Sequence, residues 1–193
     1  MSFQNYNGIL RRIGRKIVLP EKEIKSIVKE NVLSKVGQLS VFDFGAGTLG
    51  WSKWFKEYTD SVYAIDIIYA SGIIDGINVL HGIDDVKDWM FNEDRGVLWL
   101  CDVLHHIDFE FSIKVLDRFS PVCKYIVIKD IDCRHGFGNF MNRMHDRIIN
   151  GEKIRDIDPA IYEKELNNRG FKTTYYYFRK LWYPHFLIVA KKY

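Results

Sequence analysis

The apolar residues of this chain fall in short, nearly unbroken runs, and several of those runs stop at an aspartate. The run at 41–42 stops at Asp43, that at 61–65 leads to Asp66, that at 96–101 to Asp102 and that at 124–129 to Asp130. Runs apolar on both faces read as strands of a parallel sheet covered on both sides. Between them the apolar residues recur every three or four positions, as on helices packed by one face. Ile24, Ile27, Val28 and Val32 form such a stripe within 20–36, and further helices are expected at 51–58, 109–119 and 159–169. Pro20 with Glu21 and Glu23 is a start signal, and Gly37, Pro121 and Gly170 are stop signals. A strand is expected at 76–82, with Ile77, Val79 and His81 on one face, then a short helix over 86–90. Two strands, 171–179 and 185–192, close the chain around a turn at 180–184. The alternation predicts an α/β fold with a mostly parallel sheet and helices on both faces.

Two segments stand outside the alternation. In 1–18, Ile9, Leu10, Ile13 and Ile17 recur at helical spacing with Arg11, Arg12, Arg15 and Lys16 between them. This basic amphipathic helix either packs on the domain or meets an acidic lipid surface or a phosphorylated substrate. The insertion 131–158 carries Phe137, Phe140, Met141, Met144 and Ile148 at helical spacing and ends its helix at Gly151. It is expected to cap a site at the sheet edge.

The chain's 193 residues suit a single domain over 1–193, with N-terminal helices in 1–38. Hydrophobic residues make up 47%, enough for a packed core. A net charge of +3 is too small to argue for nucleic acid by itself. Cys101, Cys123 and Cys133 form no C-x-x-C pair, so neither a disulfide framework nor a zinc site is suggested, and no metal is expected. No apolar run is long enough to span a bilayer and the N-terminus is not a signal peptide, so a cytoplasmic setting is expected.

The stretch 39–50, LSVFDFGAGTLG, is the centre of the chemistry. An apolar run opens into Asp43, Gly45 and Gly47 and then into a helix whose free N–H groups face the same place. Glycines let the backbone approach a ligand closely. On glycines alone a structural turn is the simpler reading. Asp66, at the next strand tip, adds an acid that can take ribose hydroxyls. Gly45, Gly47 and Gly50 also fit the G-x-G-x-x-G order of nicotinamide-binding turns, which keeps that alternative open.

Together Asp43, Gly45, Gly47 and Asp66 resemble the first motifs of the class I S-adenosylmethionine-dependent methyltransferases, although the usual third glycine is Leu49 here. Asp102-Val103-Leu104-His105-His106 resembles the fourth motif of the small-molecule members. Lys129-Asp130 followed by Asn142, Arg143, His145, Asp146 and Arg147 is similar to a strand end and helix found in many bacterial members. The resemblance spans the chain from Leu39 onward. It implies a Rossmann-like sheet of seven strands with an antiparallel last strand, S-adenosylmethionine as cofactor, and a methyl acceptor at the strand ends. It assigns the cofactor to Asp43, Gly45, Gly47, Asp66, Ile67, Asp84 and Asp102, with Asp84 either meeting the adenine amino group or only capping the next helix. His106 is the candidate general base, supported by Asp130 or His145, and His105, Arg143 and His185 are candidates to face the acceptor. One histidine of the 105–106 pair is expected to be packed and structural.

Three functions fit. The first is O-methylation of a small-molecule, sugar or lipid acceptor. The second is ribose 2′-O-methylation of RNA, because DFGAGTLGWSKWF also resembles that family's loop. Asp102, Lys129 and Lys35 match places in its Lys-Asp-Lys-Glu set, while the glutamate has no counterpart in 183–190. The third is a non-catalytic adenosyl-binding module. Peripheral membrane contact through the basic N-terminal helix accompanies the first reading, and the oligomeric state is open.

Overall fold

The computed structural model describes residues 19–35, 39–91, 96–145 and 155–193; within these, the side chains of Lys35, Asn139, Asn142, Arg143 and His145 fall outside the description. The basic helix expected in 1–18 lies outside the described residues. The central strands are β1 (Ser40–Phe44), β2 (Ser61–Ile65), β4 (Ile77–Leu80), β5 (Gly96–Cys101) and β6 (Cys123–Ile131), all parallel. The two long C-terminal strands are β7 (Phe171–Lys180) and β8 (Tyr183–Lys192). β8 inserts antiparallel between β6 and β7.

Among the described residues the sheet has eight strands, in the order β3-β4-β2-β1-β5-β6-β8-β7, and not the seven expected. The extra one is β3 (Gly72–Ile74), which pairs antiparallel with β4 through the two-residue turn Asp75-Gly76. Both turn residues have positive φ, 51° and 74°, as a tight hairpin requires. Asp-Gly between Ile74 and Ile77 was a hairpin signal in the sequence; reading Gly76 as the start of a strand passed over it. The helix expected over 86–90 is absent. Two single 3₁₀ turns, Ile83–Asp85 and Asp88–Met90, stand there, separated by extended backbone at Val86 and Lys87. The Asp85 carboxylate accepts from Ser71 Oγ and from the His81 N–H, and this side chain-to-backbone bonding competes with a helical turn.

Alternation along the strands sends odd-numbered residues of β1, β5, β6 and β8 to one face and even-numbered ones to the other. On the first face Val41, Trp99, Val127 and Leu187 pack under α1 (Glu21–Asn31) and α2 (Gly50–Phe55). On the second Phe42, Leu98, Ile128 and Ile188 pack under α3 (Phe109–Phe119) and α5 (Pro159–Asn168). Asp108 caps α3, accepting from the Phe111 N–H at 2.6 Å, and Asp158 caps α5 through the Ala160 N–H at 2.9 Å. The insertion leaves β6 at Asp132 and forms α4 (Gly136–His145). Its two ends meet where the Cys133 N–H donates to the Ile157 carbonyl at 3.1 Å. Among the described residues no helix is long and apolar enough to cross a membrane.

Trp99 is the largest fully buried side chain on the first face, its ring centroid 4.8 Å from Trp51 and 5.5 Å from Phe55. Its buried indole N–H has no partner among the described residues. Trp99→Ala is expected to cost about 3–5 kcal/mol in urea unfolding, because α2 cannot collapse into the space left. Trp99→Phe, which keeps an aromatic ring and drops the unsatisfied donor, is expected to lose far less.

Candidate functional site

All the sequence-derived acids except Asp84 lie at or next to the carboxyl ends of β1, β2, β5 and β6, the edge where open α/β sheets bind ligands. The loop after β1 turns through Gly45 (φ 72°), Gly47 (φ 51°) and Leu49 (φ 60°). Leu49 thus takes the left-handed conformation at the place where the resemblance has a third glycine. Its side chain is buried against the α1/α2 face, and that packing offsets a backbone cost of about 1–3 kcal/mol.

The loop is fastened to β2. The Gly45 N–H donates to the Ile65 carbonyl at 2.8 Å, and the Gly47 N–H to Asp66 Oδ2 at 2.8 Å. Asp66 Oδ1 accepts from the Ile68 N–H at 3.1 Å, and Tyr69 OH donates back to the Gly47 carbonyl at 2.6 Å. One carboxylate therefore joins two loops, and each oxygen keeps a lone pair for a further donor. Ile67 is exposed beside it and near Gly82, and Asp84 is exposed in the 3₁₀ turn after β4. Asp43 points into the fold: it is buried and accepts from Ser52 Oγ of α2 at 2.5 Å. Its position shapes the junction of loop and helix.

Beyond β5, Asp102 has a φ of 54° and its N–H donates to the Lys129 carbonyl at 2.9 Å. The Lys129 ammonium, almost fully buried, meets Asp102 Oδ1 at 2.5 Å. The next residue, Val103, lies directly under Gly45, so the β1 and β5 loops touch. His105 and Asp130 form a second pair, Nδ1 to Oδ1 at 2.6 Å, with both side chains buried. Asp130 Oδ1 also accepts the Ile131 N–H at 2.8 Å, while Oδ2 is buried without a partner among the described residues. The carboxylate expected to support His106 therefore bonds His105. His106 is exposed, its ring centroid 4.0 Å from that of His105.

The sheet divides the remaining candidates. Lys129 and His185 share the α1/α2 face by strand alternation, and His185 is buried at the start of β8 opposite Ile131. Asp130 and His105 belong to the α3/α5 face, near Tyr162, whose hydroxyl is pushed to a higher pKa by burial first and also by the Asp130 charge. His105, His106 and Asp130 are brought together, and His185 stands across the sheet from them. The side chains of Arg143 and His145, and residues Asp146 and Arg147, lie outside those described. The sequence reading gave Lys129 a site role only in the ribose 2′-O-methylation alternative and gave Asp132 none. Lys129 was visible as a lysine inside an apolar strand, an arrangement that demands a partner. Asp132 was not visible at all. It is buried at the base of α4, with Arg134 Nη2 donating at 2.7 Å, Arg134 Nε at 2.9 Å and Tyr175 OH at 2.9 Å.

No family model and no curated protein matches the sequence. Solved structures do. A SAM dependent methyltransferase from Archaeoglobus fulgidus aligns over 95% of this chain and 99% of its own, with a TM-score of 0.69 at 16% identity. Magnesium protoporphyrin IX methyltransferase from Synechocystis PCC 6803, solved with bound SAH, aligns over 90% of this chain and 81% of its own, with a TM-score of 0.60 at 14% identity. An O-methyltransferase family protein from Burkholderia thailandensis aligns over 97% of this chain and 58% of its own, with a TM-score of 0.66 at 9% identity. The chain has the fold of the class I methyltransferases, the Rossmann-like α/β class expected from its sequence.

Two substitutions test this geometry. A Cβ at Gly45 would overlap Val103, whereas one at Gly47 meets nothing nearer than 4.0 Å, and both positions have positive φ. Gly47→Ala should cost about 1–3 kcal/mol of backbone strain. Gly45→Ala should cost clearly more in the same chemical unfolding assay; equal losses would contradict the contact between the β1 and β5 loops. For Asp132, burial alone would raise the carboxyl pKa, but the Arg134 and Tyr175 bonds outweigh it and hold the group below the usual carboxylate range. A lowered folded pKa adds stability above the unfolded value of about 4, and this is lost as pH falls through the folded pKa. Asp132→Asn should melt lower at neutral pH and lose part of the acid dependence of the wild-type melting temperature.

Proposed function

We propose that this protein is an S-adenosylmethionine-dependent methyltransferase acting on an oxygen of a small-molecule, sugar or lipid acceptor. The observation that carries the reading is the meeting, at one sheet edge, of a glycine loop latched to Asp66 with the His105–His106 turn anchored by Asp130. The residues fit the cofactor. Space above Gly47 is open, Asp66 has lone pairs left for ribose hydroxyls, and exposed Ile67 and Asp84 are the residues that would hold the adenine. S-adenosylmethionine, when bound, supplies an electrophilic methyl group. The chain's part is to hold the acceptor in line and take its proton. His106 is the exposed imidazole at the end of β5 and serves as that base; Asp130 acts by fixing the adjoining His105. In this reading 131–158 is a cap over the acceptor, its returning end tied by the Arg155 N–H to the His105 carbonyl at 3.0 Å.

The pair of buried Lys129 with part-exposed Asp102 favours a second reading, ribose 2′-O-methylation of RNA, because these residues match a lysine and an aspartate of that family's set. In it Lys129, and not a histidine, would face the acceptor hydroxyl.

Calorimetry should show binding of S-adenosylmethionine or its demethylated product, weakened by Asp66→Ala. Methyl transfer from labelled cofactor should then be measured against lipid, sugar and phenolic acceptors, with RNA alongside. His106→Ala should lower turnover by about a hundredfold or more while cofactor affinity stays nearly intact. His105→Ala should chiefly lower stability. Tight binding of a nicotinamide dinucleotide in place of S-adenosylmethionine would sink the reading, and binding without transfer would leave an adenosyl-binding module. Activity on RNA alone, abolished by Lys129→Ala but not by His106→Ala, would establish the second reading.

A further inference from the structure

One face of α4 carries Phe137, Phe140 and Met144, at the i, i+3, i+7 spacing of a single apolar stripe. That stripe is not buried. Phe137 is 69% exposed and Phe140 62%. The helix is seated close to the β7–β8 turn, because a Cβ at Gly138 would overlap the Trp182 carbonyl and Pro184. The turn adds Leu181, 53% exposed, and Trp182, 39% exposed. Large apolar side chains gathered in this way on a soluble surface mark a contact.

Charge says what kind. None of the chain's 25 Asp and Glu residues occurs in α4, in β7, in β8 or in the turn between them. None occurs in 1–18 either, a segment that carries Arg11, Arg12, Arg15 and Lys16. That segment joins the described chain at Leu19, whose carbonyl accepts from Lys180 Nζ at 2.7 Å, one residue from Leu181. Arg179 and Lys180 immediately precede the turn in sequence. Asp132, the nearest acid before α4, is already held by Arg134 and Tyr175. An apolar and aromatic patch with only cations in its own elements is complementary to an anionic lipid bilayer: the rings enter the acyl boundary and the cations meet the headgroups. Bound RNA would need cations along the patch itself, and the exposed side chains named in it are apolar.

We propose that the α4 stripe and the β7–β8 turn dock this protein on an anionic membrane surface. The proposal is independent of the methyl-transfer reading, and its test reads no activity.

The full chain is sedimented with phosphatidylcholine vesicles, with and without phosphatidylglycerol. It should bind the anionic vesicles more strongly, and added salt should weaken binding. Phe137→Ser combined with Phe140→Ser should reduce binding by about tenfold or more. These side chains are exposed, so the melting temperature of the variant should match the wild type. Independently, vesicles with brominated acyl chains should quench wild-type tryptophan fluorescence, and Trp182→Phe should remove most of that quenching. No binding to anionic vesicles overturns the proposal, as does undiminished binding by the double variant or an absence of quenching. Loss of a wild-type dimer in the double variant, or binding of RNA without vesicles, would assign the patch to another partner and overturn it equally.

Discussion

Two backbone N–H groups, those of Gly47 and Ile68, end on the Asp66 carboxylate, and the loop edge depends on that one group. The Gly45 amide still reaches the Ile65 carbonyl of β2, but the left-handed turn points the Gly47 amide beyond the ladder, where it needs another acceptor. A carboxylate has the lone pairs to receive both N–H groups and still bind outward, which a carbonyl at the same point would do less strongly. Gly45 has a separate constraint, since Val103 occupies the space a side chain would need. The loop's path is thus set from two sides, by the charge at the β2 tip and by the residue that follows Asp102. Leu49 can then be held in a conformation leucine seldom adopts, because its side chain is locked into the core beneath.

Past the loop, the edge holds two polar pairs on opposite faces of the sheet, one part-buried and one fully buried. Lys129 with Asp102 is on one, His105 with Asp130 on the other. Neighbouring positions of β6 supply both, since successive side chains of a strand point oppositely. Burying such charges carries a desolvation cost that a hydrophobic pair would avoid, so stability alone is a weak reason for them. What they fix is geometry. Asp130 bonds Nδ1 of His105, so the turn that presents His106 is held by a ring whose orientation is set. Asp102, in turn, is held both by its own N–H to the Lys129 carbonyl and by the Lys129 ammonium.

Strands β1, β2, β5 and β6 were legible because apolar runs ending in aspartate have few other interpretations, and α3 and α5 because Pro121 and Gly170 mark where they stop; the aspartate cap that begins each is seen only in the structure. The eighth strand was missed where a two-residue turn was taken into a strand. The 3₁₀ segment at 83–90 was missed because Asp85 bonds backwards, a choice that composition does not reveal. The division of the histidines was hidden for another reason. Sequence places His105 and His185 at the same edge, but only the pairing of β6 with β8 fixes which face each takes. The partner of Asp130 was likewise a question of register and burial, and His105 won it because its ring, not that of His106, turns inward.

The same register argument explains why the insertion sits where it does. Asp132 follows β6 by one residue and continues its alternation to the α3/α5 face, where Tyr175 and Arg134 satisfy it. Its N–H donates to the Pro184 carbonyl at 2.8 Å, so the same residue also binds the start of β8. α4 starts four residues on and meets the β7–β8 turn at Gly138, where only hydrogen leaves room for the Trp182 carbonyl. Helix and turn are thereby brought together with their aromatic side chains facing out. The contact that fastens the insertion to the sheet and the one that gathers the exposed patch both lie on the short path from Asp132 to Gly138.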